Sequence, residues 1–223
     1  MDNSVINLQF MPPQTFFVFN QLAESRFIKK YTLVGGTALS VQLEHRMSED
    51  LDFAFDAEKL NINSLKRNIA NLFPQHKIIR LEAPWQIDFI VNNVKVSFFS
   101  IGAVAIPFKV NQHAIRFKNI AVCKAKTIAS LKMATIAQRN TIRDYYDLYI
   151  LTKYHYSLKE IILQTKQLIP NLSPITYTET LIYTKDIEEQ SLEKHLNPSE
   201  DITKEQIADF FVDQLRKIKD EIN

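Results

Sequence analysis

Asp50 and Asp52, two residues apart, follow a Gly-Gly pair at Gly35-Gly36. Asp50 to Phe55 alternates polar and apolar positions as a half-buried strand does. On such a strand both carboxylates share one face, while Leu51, Phe53 and Phe55 point inward. Adjacent carboxylates repel unless a cation sits between them, so the natural ligand of the pair is Mg²⁺ or Mn²⁺. Cations held in this way bridge phosphate oxygens and activate an attacking hydroxyl, which is what phosphoryl transfer requires. Upstream, Tyr31-Thr32-Leu33-Val34 is a β-prone run that stops at Gly35-Gly36, and Thr37 to Glu44 has helical composition. A strand that ends in Gly-Gly and opens a helix turns unpaired N–H groups outward, toward a phosphate, and Thr37 either caps that helix or meets a phosphate oxygen. Alone, Asp-x-Asp reads as readily as two exposed carboxylates at a strand end. The Gly-Gly turn tips the balance toward a site.

A second group lies further along. Lys132, Thr135 and Arg139 fall at i, i+3 and i+7, which predicts one polar helix face able to bind a triphosphate or to neutralise a leaving group. The plainer reading is a solvated face. Asp144 and Asp147 sit one turn apart near a predicted helix start, where acids meet the helix dipole favourably, a structural role that suffices for one of them. Tyr145, Tyr146 and Tyr149 read as packing rather than base-stacking residues. Cys123, the single cysteine, reads as a buried thiol, and the five histidines show no metal-ligand spacing.

The elements that must position these residues run strands first and helices afterwards. A first helix is predicted over Gln14 to Phe27, with Phe16, Phe19, Ala23 and Phe27 on its apolar stripe, and another over Leu60 to Phe73. Strands are predicted at Lys77 to Leu81, Trp85 to Val91 and Val94 to Phe99, the last two joined by a hairpin at Asn92-Asn93, and a strand pair near His113 to Val122. Helices follow over Thr127 to Gln138, Thr141 to Tyr154, Leu158 to Leu168 and Lys204 to Ile222. The expected fold is an α/β (α+β) catalytic lobe with a mixed sheet, residues 1–122, followed by a helical lobe, residues 123–223.

Composition excludes several classes. With 46% hydrophobic and 23% charged residues the chain is neither disordered nor fibrous. One thiol makes no internal disulfide, Met1 to Ser4 opens no signal peptide, and no apolar run reaches the roughly 20 residues of a membrane span, so a cytoplasmic protein without membrane contact is expected. Charge is unevenly spread. Phe89 to Arg143 has no acid and nine cations, whereas the chain from Asp186 onward carries eleven acids against five Lys and Arg. The basic block points to a polyanionic partner, or to a solvated basic face.

The blocks Gly35-Gly36-Thr37, Arg46-Met47-Ser48-Glu49-Asp50-Leu51-Asp52-Phe53 and Lys132, Arg139, Arg143-Asp144-Tyr145-Tyr146-Asp147-Leu148-Tyr149, in that order over residues 33 to 151, resemble the AbiEii/AbiGii toxin family of DNA polymerase β-like nucleotidyltransferases. The resemblance implies that Gly35, Gly36 and Thr37 form the nucleotide-phosphate turn, with Arg46 and Ser48 flanking and orienting the carboxylates. It implies that Asp50 and Asp52 hold the metal, that Lys132, with Arg139, contacts the nucleotide, and that Asp144 is an essential acid. It further implies transfer of NMP from an NTP, with RNA, especially the 3′ end of tRNA, as acceptor, and a cognate antitoxin protein as partner. The alternatives are transfer to a small molecule or protein, and a catalytically weak protein that binds nucleotide or antitoxin. One departure stands out: the family's wider fold places a third carboxylate on a neighbouring strand, where this chain has Ser97. Asp88, Asp144 or no residue supplies it, and one metal is as compatible as two. Lys132 and Asp144, coming from the helical lobe, are expected to line a cleft with the carboxylates.

Overall fold

The computed structural model describes residues 6–102 and 108–222, the side chains of 220–222 excepted; Met1 to Ser4, on which the signal-peptide reading rested, lie outside them. The chain divides into two compact units, residues up to Lys124 and from Ala125 onward.

The first unit is built on a seven-stranded mixed sheet in the order β3-β4-β5-β2-β1-β7-β6. Its strands are β1 (Thr32–Val34), β2 (Leu51–Phe55), β3 (Lys77–Glu82), β4 (Gln86–Val91), β5 (Val94–Ser100), β6 (Ala114–Phe117) and β7 (Ile120–Cys123). Its helices are α1 (Pro13–Glu24), α2 (Gly35–Leu43) and α3 (Ile62–Leu72). Parallel pairing joins β2 to β5 and β1 to β7, and the remaining neighbours are antiparallel. β2 lies between β1 and β5, so Asp52 starts from a strand hydrogen-bonded on both sides.

Register fixes which face does what. Phe53 pairs with Phe98 and Phe98 with Ile87, while one residue earlier on β2 Asp52 pairs with Ser97 and Ser97 with Asp88. Because paired residues share a face and successive residues alternate, one face carries the apolar row and the other carries Asp52, Ser97 and Asp88. The Phe53 and Phe98 rings stack 5.3 Å apart, and Tyr31 meets Phe98 edge-on at 5.0 Å. All three are buried, each contributing roughly 1.5–3 kcal/mol. The Asn92-Asn93 hairpin forms as predicted, both residues having positive φ. β3 is different: as an edge strand it is exposed along its whole length.

Two expectations for this unit change. α1 ends at Glu24, with a 3₁₀ turn over Arg26–Lys30. Its buried stripe is Thr15, Val18, Phe19, Leu22 and Ala23, whereas Phe16 is exposed. Phe19 and Ala23 of the predicted stripe are buried, and Thr15, Val18 and Leu22 complete the inward face and leave Phe16 outside it.

The second unit is helical: α4 (Ala125–Ile136), α5 (Ile142–Tyr154), α6 (Leu158–Leu168), α7 (Pro174–Ile182) and α8 (Lys204–Ile222). α4 packs on α5, α6 and α7, and α5 on α8. α6 opens with a capping box between Ser157 and Glu160. Sequence patterning misses α7. Its threonines favour other conformations, and in the helix the Thr178 and Thr180 hydroxyls donate back to the Pro174 and Thr176 carbonyls. Among the described residues no helix is long and apolar enough to cross a membrane.

Candidate active site

Gly35 opens α2 with φ +71°, a conformation that glycine adopts freely and side-chain-bearing residues adopt rarely. The second reason for glycine is space. A Cβ at Gly35 would lie 3.0 Å from Asp52 Oδ2, and one at Gly36 would lie 2.7 Å from Arg46 Nη2 and 2.9 Å from Ser48 Oγ. The turn and the residues around Asp50 are therefore in van der Waals contact, and the bare backbone is what lets them approach. No side chain caps α2 at Val34, where the first-turn N–H groups lack intrahelical partners, and Gly35 at that end of the helix comes up against Asp52.

The segment leading into β2 is held from two sides. Thr37 is buried. Its hydroxyl donates to the Asp50 carbonyl and lies 2.9 Å from Ser48 Oγ. With one proton to give, it accepts from Ser48. Thr37 does not cap α2; it ties the helix to the carboxylate segment. From the other side the Thr15 hydroxyl of α1 donates to the Glu49 carbonyl at 2.8 Å. Thr15 carries no sequence signal, being one polar position on an apolar stripe 34 residues from its acceptor. Arg46 is buried as well, its Nη1 donating to the Met47 carbonyl at 2.9 Å. Asp50, one residue before β2, and Asp52, its second residue, are both half-buried.

Next to Asp52 across the sheet, Ser97 is 2% exposed and among the described residues its hydroxyl has no hydrogen-bond partner. Beyond it Asp88, also buried, accepts from Gln86 Nε2 at 2.9 Å.

The second unit assembles its own cluster. Lys132 Nζ lies 2.7 Å from Asp144 Oδ1 and 2.6 Å from Asp147 Oδ2, all three side chains buried. Asp144 Oδ2 also accepts from Arg139 Nε at 3.0 Å and from the Thr141 hydroxyl at 2.8 Å. Burial pushes the Asp144 carboxyl up, but the Lys132 and Arg139 charges and their hydrogen bonds outweigh it and hold it below the usual carboxylate range. The single polar helix face predicted for Lys132, Thr135 and Arg139 does not form. α4 ends at Ile136, so Arg139 lies in the turn before α5, and its side chain is 64% exposed. Lys132 faces the buried acids, and Arg139 is the cation of the cluster that meets solvent. Tyr145, Tyr146 and Tyr149 are buried packing residues, Tyr145 donating to the Thr180 carbonyl at 2.8 Å and Tyr149 to Glu200 at 2.8 Å.

Much of the basic block is neutralised within the chain. Lys118 pairs with Glu24, Lys126 with Glu160, Arg143 with Glu193, and Lys132 and Arg139 with the acids of the cluster. Burial, then the charge of Asp56, pushes the Cys123 thiol well above its ordinary range, as an inert core thiol requires.

Residues 17–220 match the family model described as nucleotidyl transferase AbiEii toxin, type IV toxin–antitoxin system. An uncharacterized protein of Aquifex aeolicus is 30% identical over 169 residues, spanning 73% of this chain and 78% of that one. Among solved structures, a candidate nucleotidyltransferase of H. pylori is similar at a TM-score of 0.53 and 18% identity, over 94% of this chain and 98% of that one. MenT4, a nucleotidyltransferase toxin of Mycobacterium tuberculosis, is similar at a TM-score of 0.48 and 11% identity, over 95% of this chain and 92% of its own. The H. pylori likeness shows a shared fold.

Proposed function

Because the chain belongs to the AbiEii nucleotidyltransferase toxin family, we propose that it transfers NMP from an NTP to RNA, at the 3′ end of tRNA, in a reaction that depends on Mg²⁺ or Mn²⁺. An acceptor hydroxyl oxygen bonds to the α-phosphorus, the bond from that phosphorus to the β-phosphate oxygen breaks, and pyrophosphate leaves. A cognate antitoxin protein restrains the activity in the cell.

The observation that supports this reading is the close approach of Gly35, at the N-terminus of α2, to the Asp52 carboxylate. One divalent cation fits the residues present. Asp50 and Asp52 would hold it, and the glycine turn leaves room beside Asp52 Oδ2 that a Cβ would fill. Among the described residues no group of three His, Cys, Asp or Glu converges on a metal position, so triphosphate oxygens and water would complete the shell. When bound, the cation would supply positive charge that neutralises the triphosphate.

The chain's own residues do the rest. The first turn of α2 binds phosphate through its N–H groups. Thr15, Thr37, Arg46 and Ser48 hold the carboxylate segment in place. Arg139 carries the exposed guanidinium of the second unit's cluster, a group suited to a triphosphate, while Lys132 helps keep Asp144 ionised.

The test incubates the protein with Mg²⁺, each α-labelled NTP and total RNA, and follows label into RNA. Asp50→Ala, Asp52→Ala and Lys132→Ala should each abolish it, and transfer that survives Asp52→Ala would remove the metal site from the proposal. The ion-paired state of the basic block favours a second reading, in which the acceptor is a small hydroxyl compound or a protein side chain. Acceptor binding that weakens steeply with salt selects RNA, and binding indifferent to salt selects the second reading.

A further inference from the structure

Of the two register partners of Asp52, Val34 on β1 has no side-chain ligand atom, and Ser97 on β5 stands where a third ligand could reach a cation next to Asp52. Paired residues leave the same face. Neighbouring strands lie about 4.8 Å apart, so a carboxylate at this position would be within reach of a cation on Asp52. Asp88 is one strand further out, roughly 10 Å from Asp52 across the sheet, and Mg–oxygen bonds are only about 2.1 Å long. Asp88 is moreover engaged by Gln86. Asp144 is no substitute either. One of its oxygens accepts from Lys132, and the other from Arg139 and Thr141.

We infer that the site, read as the metal-dependent nucleotidyltransferase centre proposed above, is built for one divalent cation, with the Ser97 hydroxyl standing where a second cation would need a carboxylate. The hydroxyl is buried and, among the described residues, unpartnered. Buried polar groups are rarely left so unless something outside the chain meets them. An oxygen from the ligand side, either a water or the acceptor hydroxyl, is the partner it fits. Asp50 and Asp52 carry the cation with the nucleotide, and Ser97 orients an oxygen beside it without a charge to hold a further ion.

The experiment counts Mn²⁺ by electron paramagnetic resonance, with non-hydrolysable analogues of the four NTPs present at saturation. The wild type should bind one Mn²⁺ per chain and give an uncoupled spectrum. Ser97→Asp should bind two, about 3.5–4 Å apart, and show the broadening of a spin-coupled pair. Ser97→Ala and Asp88→Asn should keep the count at one, while Asp52→Asn should lose it. A coupled pair in the wild type overturns the inference, as does a folded Ser97→Asp protein that still binds one ion. Loss of the ion in Asp88→Asn overturns it too, and can be read even if Ser97→Asp does not fold. Should wild type and Asp52→Asn bind Mn²⁺ alike, it is the carboxylate-pair metal site itself that fails, a different outcome from a wild type that binds two.

Discussion

Lys132 Nζ and Asp147 Oδ2 lie 2.6 Å apart with both side chains out of solvent, and Asp144 closes on the same ammonium at 2.7 Å. Removing one partner from a buried pair strands the others, at a cost of about 3–5 kcal/mol. Lys132→Met should lose stability on that scale in urea unfolding. A triple variant with Asp144→Asn and Asp147→Asn should recover much of it. If transfer returns with the stability, Lys132 and Asp144 serve the fold alone; if transfer stays absent, the pair also serves the reaction.

Arg139 gives the contrasting case. Its side chain is 64% exposed although it reaches Asp144 at 3.0 Å, and exposed pairs contribute less than about 1 kcal/mol. Arg139→Ala should leave the unfolding midpoint nearly unchanged while raising KM for the NTP about tenfold, the size of one lost charge-assisted hydrogen bond. An unchanged KM would remove Arg139 from the nucleotide site.

Gly36→Ala adds a single carbon, but that carbon meets Arg46 Nη2 at 2.7 Å and Ser48 Oγ at 2.9 Å. Both side chains are buried and cannot simply swing aside. The substitution should cut kcat by at least about tenfold, since misplacing reacting groups by 1 Å or less is costly, with the circular dichroism spectrum preserved. Wild-type turnover would show that the contact between turn and carboxylate segment is dispensable.

Thr37→Val keeps shape and removes the hydroxyl that reaches the Asp50 carbonyl and Ser48. A buried hydrogen bond lost in this way costs about 1–3 kcal/mol. Stability should fall by that amount, and transfer should fall further than the fraction unfolded explains. Equal losses in both would make Thr37 a packing residue only.

Acid should act through Asp144. Its carboxyl is held below the usual range in the folded protein, the Lys132 and Arg139 charges outweighing burial. The resulting stabilisation is fully present above the unfolded value of about 3.9 and is lost as pH falls from there through the lower folded value. Unfolding midpoints measured from pH 7 to pH 3 should drop steeply below pH 4 in the wild type. The drop should be shallower in Asp144→Asn; parallel curves would assign the acid sensitivity to other carboxylates.

The parts of this structure visible in the sequence are those set by local periodicity and backbone freedom. Alternation along Asp50 to Phe55 located β2 and set Asp52 on the face opposite Phe53, with Asp50 one residue before the strand, and Asn92, Asn93 and Gly35 are positions that take positive φ. Long-range partners left no trace. Thr15 and Glu49 are joined across 34 residues, and nothing in either type announces it. The face shared by Lys132 and Arg139 failed because the pattern continued past Ile136 while the helix did not. The buried acids that draw Lys132 inward lie on a different helix, α5. The neutralisation of the basic block was likewise invisible, since its partners, Glu24, Glu160 and Glu193, lie outside the stretch whose charge was counted.

Glu49 and Asp50 precede β2 without regular secondary structure, yet each has its carbonyl tied down, by Thr15 and Thr37 in turn. Ordering a free backbone costs about 1–2 kcal/mol per residue. Here that cost is met when the protein folds rather than when nucleotide arrives. Calorimetry of nucleotide binding should therefore show little of the unfavourable entropy and heat-capacity change that accompany a loop folding onto its ligand.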